Sequence, residues 1–103
     1  MKRRVLWSRD ALDDLNALVA FIDDDNPVAA GRISRAILDS AVALGAFATG
    51  RPGRFAKTYE KSVSRLPYII AYSVEMQREG EVILILRVIH TARDWPLGRW
   101  PKA

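Results

Sequence analysis

Apolar residues recur at Ala11, Leu12, Leu15, Leu18, Val19 and Ile22, at steps of three and four that draw one stripe along a helix ending near Asp24. Ser8 supplies a capping oxygen at its start, and Asp10, Asp13 and Asp14 fall in the first turns, where the helix dipole favours carboxylates. Ahead of it, Arg3 to Trp7 is short, β-branched and aromatic, and predicts a first strand. A second stripe places Ala30, Ile33, Ile37, Ala41, Leu44 and Phe47 on one helical face and loosens between Gly45 and Gly50. It begins after Asp23-Asp24-Asp25 and Asn26-Pro27, where the asparagine and proline suit the cap and first position of a new helix. So short a turn predicts an antiparallel helical hairpin.

Beyond the breaker-rich loop Gly50-Arg51-Pro52-Gly53-Arg54 the pattern changes to strands at Thr58–Val63, Tyr68–Met76 and Val82–His90. Short turns at Arg65-Leu66-Pro67 and Gln77-Arg78-Glu79-Gly80 imply an antiparallel meander. The last strand is apolar on both faces and is expected to lie centrally, covered on both sides. Strict alternation sets Arg87 on the side of Ile83, Ile85 and Ile89. The predicted class is α+β, two layers, with the helical hairpin packed on an antiparallel sheet in the order β-α-α-β-β-β and the opposite sheet face left for other use. At 103 residues, positions 1–103 are expected to form one domain.

Composition narrows the chemistry. There is no cysteine and one histidine, so neither a disulfide nor a Cys/His zinc site can be assembled, and a reducing, cytoplasmic setting fits. No apolar run approaches the roughly 20 residues of a membrane span. Residues 1–47 carry six basic and seven acidic groups, net −1, whereas residues 48–103 carry ten and five, net +5. Arg51, Arg54, Lys57, Lys61 and Arg65 have only Glu60 among them, which suits an anionic partner or, more plainly, a solvated basic loop. No phosphate-binding loop, Ser-His-Asp set or metal spacing is present, so neither cofactor nor metal is expected.

Individual residues invite two readings each. A charge at Arg87 must reach a rim, a ligand or a carboxylate, Glu60 and Glu75 being the candidates for a structural ion pair. His90 closes the same strand and titrates near neutrality, yet a histidine at a strand end also serves structure. Arg93-Asp94-Trp95-Pro96 and Gly98-Arg99-Trp100-Pro101 alternate cations with indoles, suited to stacking on a partner or to folding back on the sheet edge. Tyr59, Tyr68 and Tyr72 fit strand propensity without further role.

Several of these stretches, in order, resemble the RelE/ParE superfamily of type II toxins. Val5-Leu6-Trp7-Ser8 with Ala11 and Asp14-Leu15, then Asp25-Asn26-Pro27 with Ala29-Ala30, are similar to its helical hairpin. Gly53-Arg54, Thr58-Tyr59-Glu60, Pro67 to Tyr72, and Leu86 to His90 followed by Arg93-Asp94-Trp95-Pro96 are similar to its strands. The resemblance implies a cognate antitoxin, expected to be acidic where it meets the basic half, and growth arrest when the antitoxin is lost. RelE-like members cut messenger RNA on the ribosome, and ParE-like members poison DNA gyrase. Where RelE-like nucleases typically read Tyr-Arg-Leu-Val-Tyr, this chain has Ile69 in the arginine's place, and Glu60 and Ser62 replace two lysines of the preceding strand.

Metal-free RNA cleavage needs an acid, a base and cations for the phosphorane. The resemblance therefore points to a ParE-like gyrase poison without catalytic residues. Its target or antitoxin would meet Arg51, Arg54, Lys57, Tyr59, Lys61, Arg87, His90, Arg93 and Trp95. The alternatives are an mRNA endonuclease built from Glu60, Arg87, His90 and Arg93, and a non-toxic partner of the antitoxin. Lys57, where many relatives carry glycine, bears on the last.

Overall fold

The computed structural model describes residues 3–91. Strand β1 (Arg4–Trp7) leads into helix α1 (Arg9–Asp25) and helix α2 (Pro27–Ala46), followed by β2 (Arg51–Pro52), β3 (Tyr59–Ser62), β4 (Tyr68–Gln77) and β5 (Gly80–His90). The expected two-layer α+β fold is therefore present, with a two-residue strand added in the loop after α2. No helix among the described residues is long and apolar enough to cross a membrane.

Each helix boundary has a local cause. Ser8 holds extended backbone, and its Oγ accepts the Ala11 N–H at 3.1 Å while donating to the Leu86 carbonyl at 3.0 Å, so one hydroxyl caps α1 and ties it to β5. Asn26 alone separates the two helices. Its N–H closes α1 on the Ile22 carbonyl, its side chain accepts from Ala29 N at 3.0 Å, and Pro27 follows at the first helical position.

The five-stranded sheet has the order β1-β5-β4-β3-β2. The meander is antiparallel as expected, but β1 pairs parallel to β5, so the sheet is mixed. The helical hairpin carries the chain from β1 to the opposite edge of the sheet at β2, and the meander then returns it until β5 lies beside β1, a pairing that strand patterns do not reveal. Ala11, Leu15, Ile37, Ala41 and Leu44 pack from the helices onto Ile70, Tyr72, Ile83, Ile85 and Val88. Ile69, Ala71 and Ile89 alternate with these and are also buried, so β4 and β5 are covered on both faces.

Strict alternation fails in β5. Ala71 pairs with Arg87 and Tyr72 with Ile85, leaving Leu86 as an extra residue. The bulge moves Val88 to the helix side in place of the expected Ile89 and swings Arg87 out of the row formed by Ile83 and Ile85. Two helical positions also depart from their stripes: Leu12 is 43% exposed and Phe47, the residue after α2, is 75% exposed. Phe47 has left the helix and adopts extended backbone, which releases it from the helical register.

The last turn of α2 lies against β1. Gly45 carbonyl accepts the Arg3 N–H at 2.7 Å, and a Cβ on Gly45 would sit 2.6 Å from the Arg3 carbonyl oxygen. Gly45→Ala is expected to destabilise the protein by about 1–3 kcal/mol, because backbone on one side and the Val5 side chain on the other must give way. Thermal unfolding checks this: a fall in Tm of at least about 4 °C is expected, and an unchanged Tm would refute the contact.

Candidate functional site

The basic residues of the loop and β3 are only partly available. Glu60 is 5% exposed, and its Oε2 accepts from Arg54 backbone N at 2.9 Å and from Arg54 Nε at 3.0 Å. Arg51 Nη2 stands 3.8 Å from the other carboxylate oxygen. Burial pushes the Glu60 carboxyl upward, but the Arg54 hydrogen bonds and the charges of Arg54 and Arg51 outweigh it and hold the pKa below its ordinary value. Such a carboxylate is a poor base, since its proton affinity has been given over to two guanidinium groups.

Gly50, at φ +138, brings the loop so close to β3 that a Cβ would stand 2.8 Å from the Glu60 carbonyl oxygen. Lys57 adopts φ +64, the left-handed geometry in which glycine is at ease, so the loop conformation persists with lysine in that place. Lys57 is exposed and Lys61 half-buried. Tyr59, 39% exposed, stacks on Tyr72 at 5.5 Å between ring centroids. Tyr72 is buried and donates to the Thr49 carbonyl at 2.6 Å. Its pKa is raised, first by burial and then by Tyr59, against a lowering effect of Arg3.

Arg87 meets neither Glu60 nor Glu75, the carboxylates the sequence suggested, but Asp14 of α1. Its Nε and Nη2 reach the two oxygens of Asp14, each at 2.7 Å, and Val88 N–H donates to the same carboxylate at 2.9 Å. Both side chains are about seven-eighths buried, at 13% and 14% exposure. The hydrogen bonds that Arg87 donates to Asp14 raise its pKa against the opposing effect of burial. Arg87 lies beyond Ile85, where the pairing of β1 with β5 ends.

His90 packs edge-on against Tyr68, centroids 5.4 Å apart, on the helix side of the sheet. Both belong to a groove of about 450 Å³ between α1 and the ends of β4 and β5, completed by Asp14, Ala17, Leu18, Phe21, Ile22 and Val88. Phe21 is 78% exposed at its edge. No α1 residue is among the sequence's site candidates, where Asp14 reads as a helix-start carboxylate and Leu18 and Ile22 as core, although Asp14, Ala17, Leu18 and Phe21 are spaced three, four and seven apart and so share a helical face.

The sequence-derived residues thus do not converge. Glu60 pairs with Ala71, which faces away from the helices, whereas His90 faces α1. Arg51, Arg54, Lys57, Tyr59 and Lys61 belong to β2, β3 and their connection, while Arg87 and His90 lie on β5. Arg93 and Trp95 fall outside the described residues.

Residues 5–95 match the family model described as ParE toxin of type II toxin-antitoxin system, parDE. A protein of Sinorhizobium fredii (strain NBRC 101917 / NGR234), described as "Putative toxin Y4kP", is 36% identical over 96 residues, covering 92% of this chain and 95% of its own. Among solved structures, the chromosomal ParDE system from P. aeruginosa contains a similar chain with a TM-score of 0.77 and 24% identity, covering 86% of this chain and 96% of that one. The RelBE2 toxin-antitoxin complex from Mycobacterium tuberculosis gives a TM-score of 0.60 and 26% identity, covering 90% and 95%.

Two consequences of the ion pairs can be measured. Asp14→Ala leaves Arg87 and the Val88 N–H without their carboxylate, and urea denaturation should give a loss of about 3–5 kcal/mol. The double variant with Arg87→Ala should cost less than the sum of the two single changes, and strict additivity would contradict the coupling. Glu60 has a folded pKa below its unfolded one, so its stabilisation is complete above the ordinary value of 4.5 and is lost as pH falls through the lowered value. Glu60→Gln should therefore cost about 1–3 kcal/mol at pH 7, and the gap from wild type should close in acid. A gap independent of pH would assign the effect to packing.

Proposed function

The chain belongs to the ParE toxin family of type II toxin-antitoxin systems, and from that footing we propose that it arrests growth by poisoning DNA gyrase in the cytoplasm until a cognate antitoxin neutralises it. The observation that carries this reading over an mRNA endonuclease is the dispersal of the nuclease candidates. Glu60 and Arg87 are each held in a part-buried ion pair, and Glu60 and His90 face opposite sides of the sheet. A phosphorane requires its acid, base and cations within reach of one phosphate. A protein that acts by binding has no such requirement.

An antitoxin partner is supported by the ParDE and RelBE2 relatives, which are described as a toxin-antitoxin system and a toxin-antitoxin complex. The exposed cations at Arg51 and Lys57, with Tyr59 beside them, suit an acidic stretch of that partner.

Expression of the chain without antitoxin, followed in time, tests the target. Cleaved gyrase-DNA complexes and an SOS response should precede any cut in messenger RNA, and purified gyrase with the purified chain should accumulate linearised plasmid. Ribosome-dependent mRNA cuts with normal supercoiling would establish the endonuclease instead, and harmless expression would leave only the role of antitoxin partner.

A further inference from the structure

The groove beside α1 is electrostatically unlike the rest of the partner-facing surface. Helix α1 carries six aspartates and one arginine, a net of −5. Of the eight groove residues one is a carboxylate, Asp14, and none is lysine or arginine. Arg87 already neutralises Asp14, so the groove is largely apolar along its length, with Ala17, Leu18, Phe21, Ile22 and Val88 as its walls. Its far end is different. The helical face that presents Leu18 and Phe21 next presents Asp25, seven and four residues on, flanked by Asp23 and Asp24, all exposed.

No basic residue stands in the last turn of α1, and its terminal carbonyls add the negative end of the helix dipole. The amino end of α2 at Pro27 offsets part of this charge. Among the described residues, ion pairs reach Asp13 and Asp14, and none reaches Asp23, Asp24 or Asp25. The cations of the chain lie chiefly on its second half.

We infer that this groove takes a peptide segment whose apolar anchors are followed by lysine or arginine, the anchors against Leu18, Phe21, Ile22 and Val88 and the cations against Asp23–Asp25. The antitoxin is then bipolar, apolar and basic where it enters the groove and acidic where it meets Arg51 and Lys57. The identity of the partner rests on the reading above; the chemistry of the segment rests on the groove.

Two synthetic amphipathic peptides test the polarity directly. They share leucines at i, i+4 and i+7 and differ only at the end that follows, lysines in one and glutamates in the other, and each is titrated against the full chain by fluorescence anisotropy. The lysine peptide should bind about tenfold more tightly at low salt. That preference should shrink in the Asp24→Asn, Asp25→Asn variant, while Ala17→Arg, checked for folding by circular dichroism, should weaken both peptides. Equal binding, a preference for glutamate, or no binding of either peptide overturns the inference. The gyrase assay on the same preparation is independent: a chain that prefers the lysine peptide but leaves gyrase untouched keeps its groove chemistry and loses its proposed target.

Discussion

The Asp14 carboxylate, with the Ser8 cap before it, ties α1 to the free edge of β5. Strand β1 ends at Trp7, opposite Ile85, yet β5 runs on to His90. Beyond that point α1 takes over as the neighbour of β5. Ser8 N–H reaches the Ile85 carbonyl, Ser8 Oγ reaches the Leu86 carbonyl, and Asp14 receives the Val88 N–H together with Arg87. A strand edge that would otherwise present bare N–H and C=O groups is satisfied by helix side chains, which blunts it against pairing with other chains. Asp14 also lines the groove that runs between Phe21 and His90.

The same economy of charge governs the basic half. A net charge of +5 on residues 48–103 suggests an open cationic surface, but Arg54 and Arg87 spend their guanidinium groups on Glu60 and Asp14. Charge-assisted, part-buried pairs of this kind are more strongly coupled than surface ion pairs and are correspondingly less available to a ligand. Arg51, Lys57 and Tyr59 stay exposed, on the opposite half of the sheet from the acidic helix. The molecule is thus polarised: an aspartate-rich helix lines an apolar groove at one side, and a cationic loop lies at the other.

Much of this architecture is legible in the amino-acid order because its causes are local. Helix stripes, the Ser8 and Asn26 caps, Pro27 at the head of α2 and the alternating strands all follow from backbone hydrogen bonding and the periods of helix and strand. The resemblance of the ordered segments to RelE/ParE toxins depends on the same local signals, and the family match and the fold agree with it. Glycine's suitability at the Lys57 position also has a local cause, the left-handed backbone found there.

Tertiary structure decided the rest, and for a common reason: each feature depends on which distant residues meet. The parallel pairing of β1 with β5 follows from a path that crosses to the far edge through the helical hairpin and returns through the meander, not from any property of Arg4–Trp7. The one-residue bulge at Leu86 resets the faces of β5, so strict alternation misplaced Arg87 and Ile89 although Val82–His90 reads as strand throughout. Asp14 reads in sequence as one of three carboxylates at a helix start, and only the packing of α1 across 73 residues of chain separation makes it the partner of Arg87. Sequence determined the elements and the family; long-range packing determined which charges are spent inside the fold and which face outward, because that balance is set by distance and burial rather than by residue type.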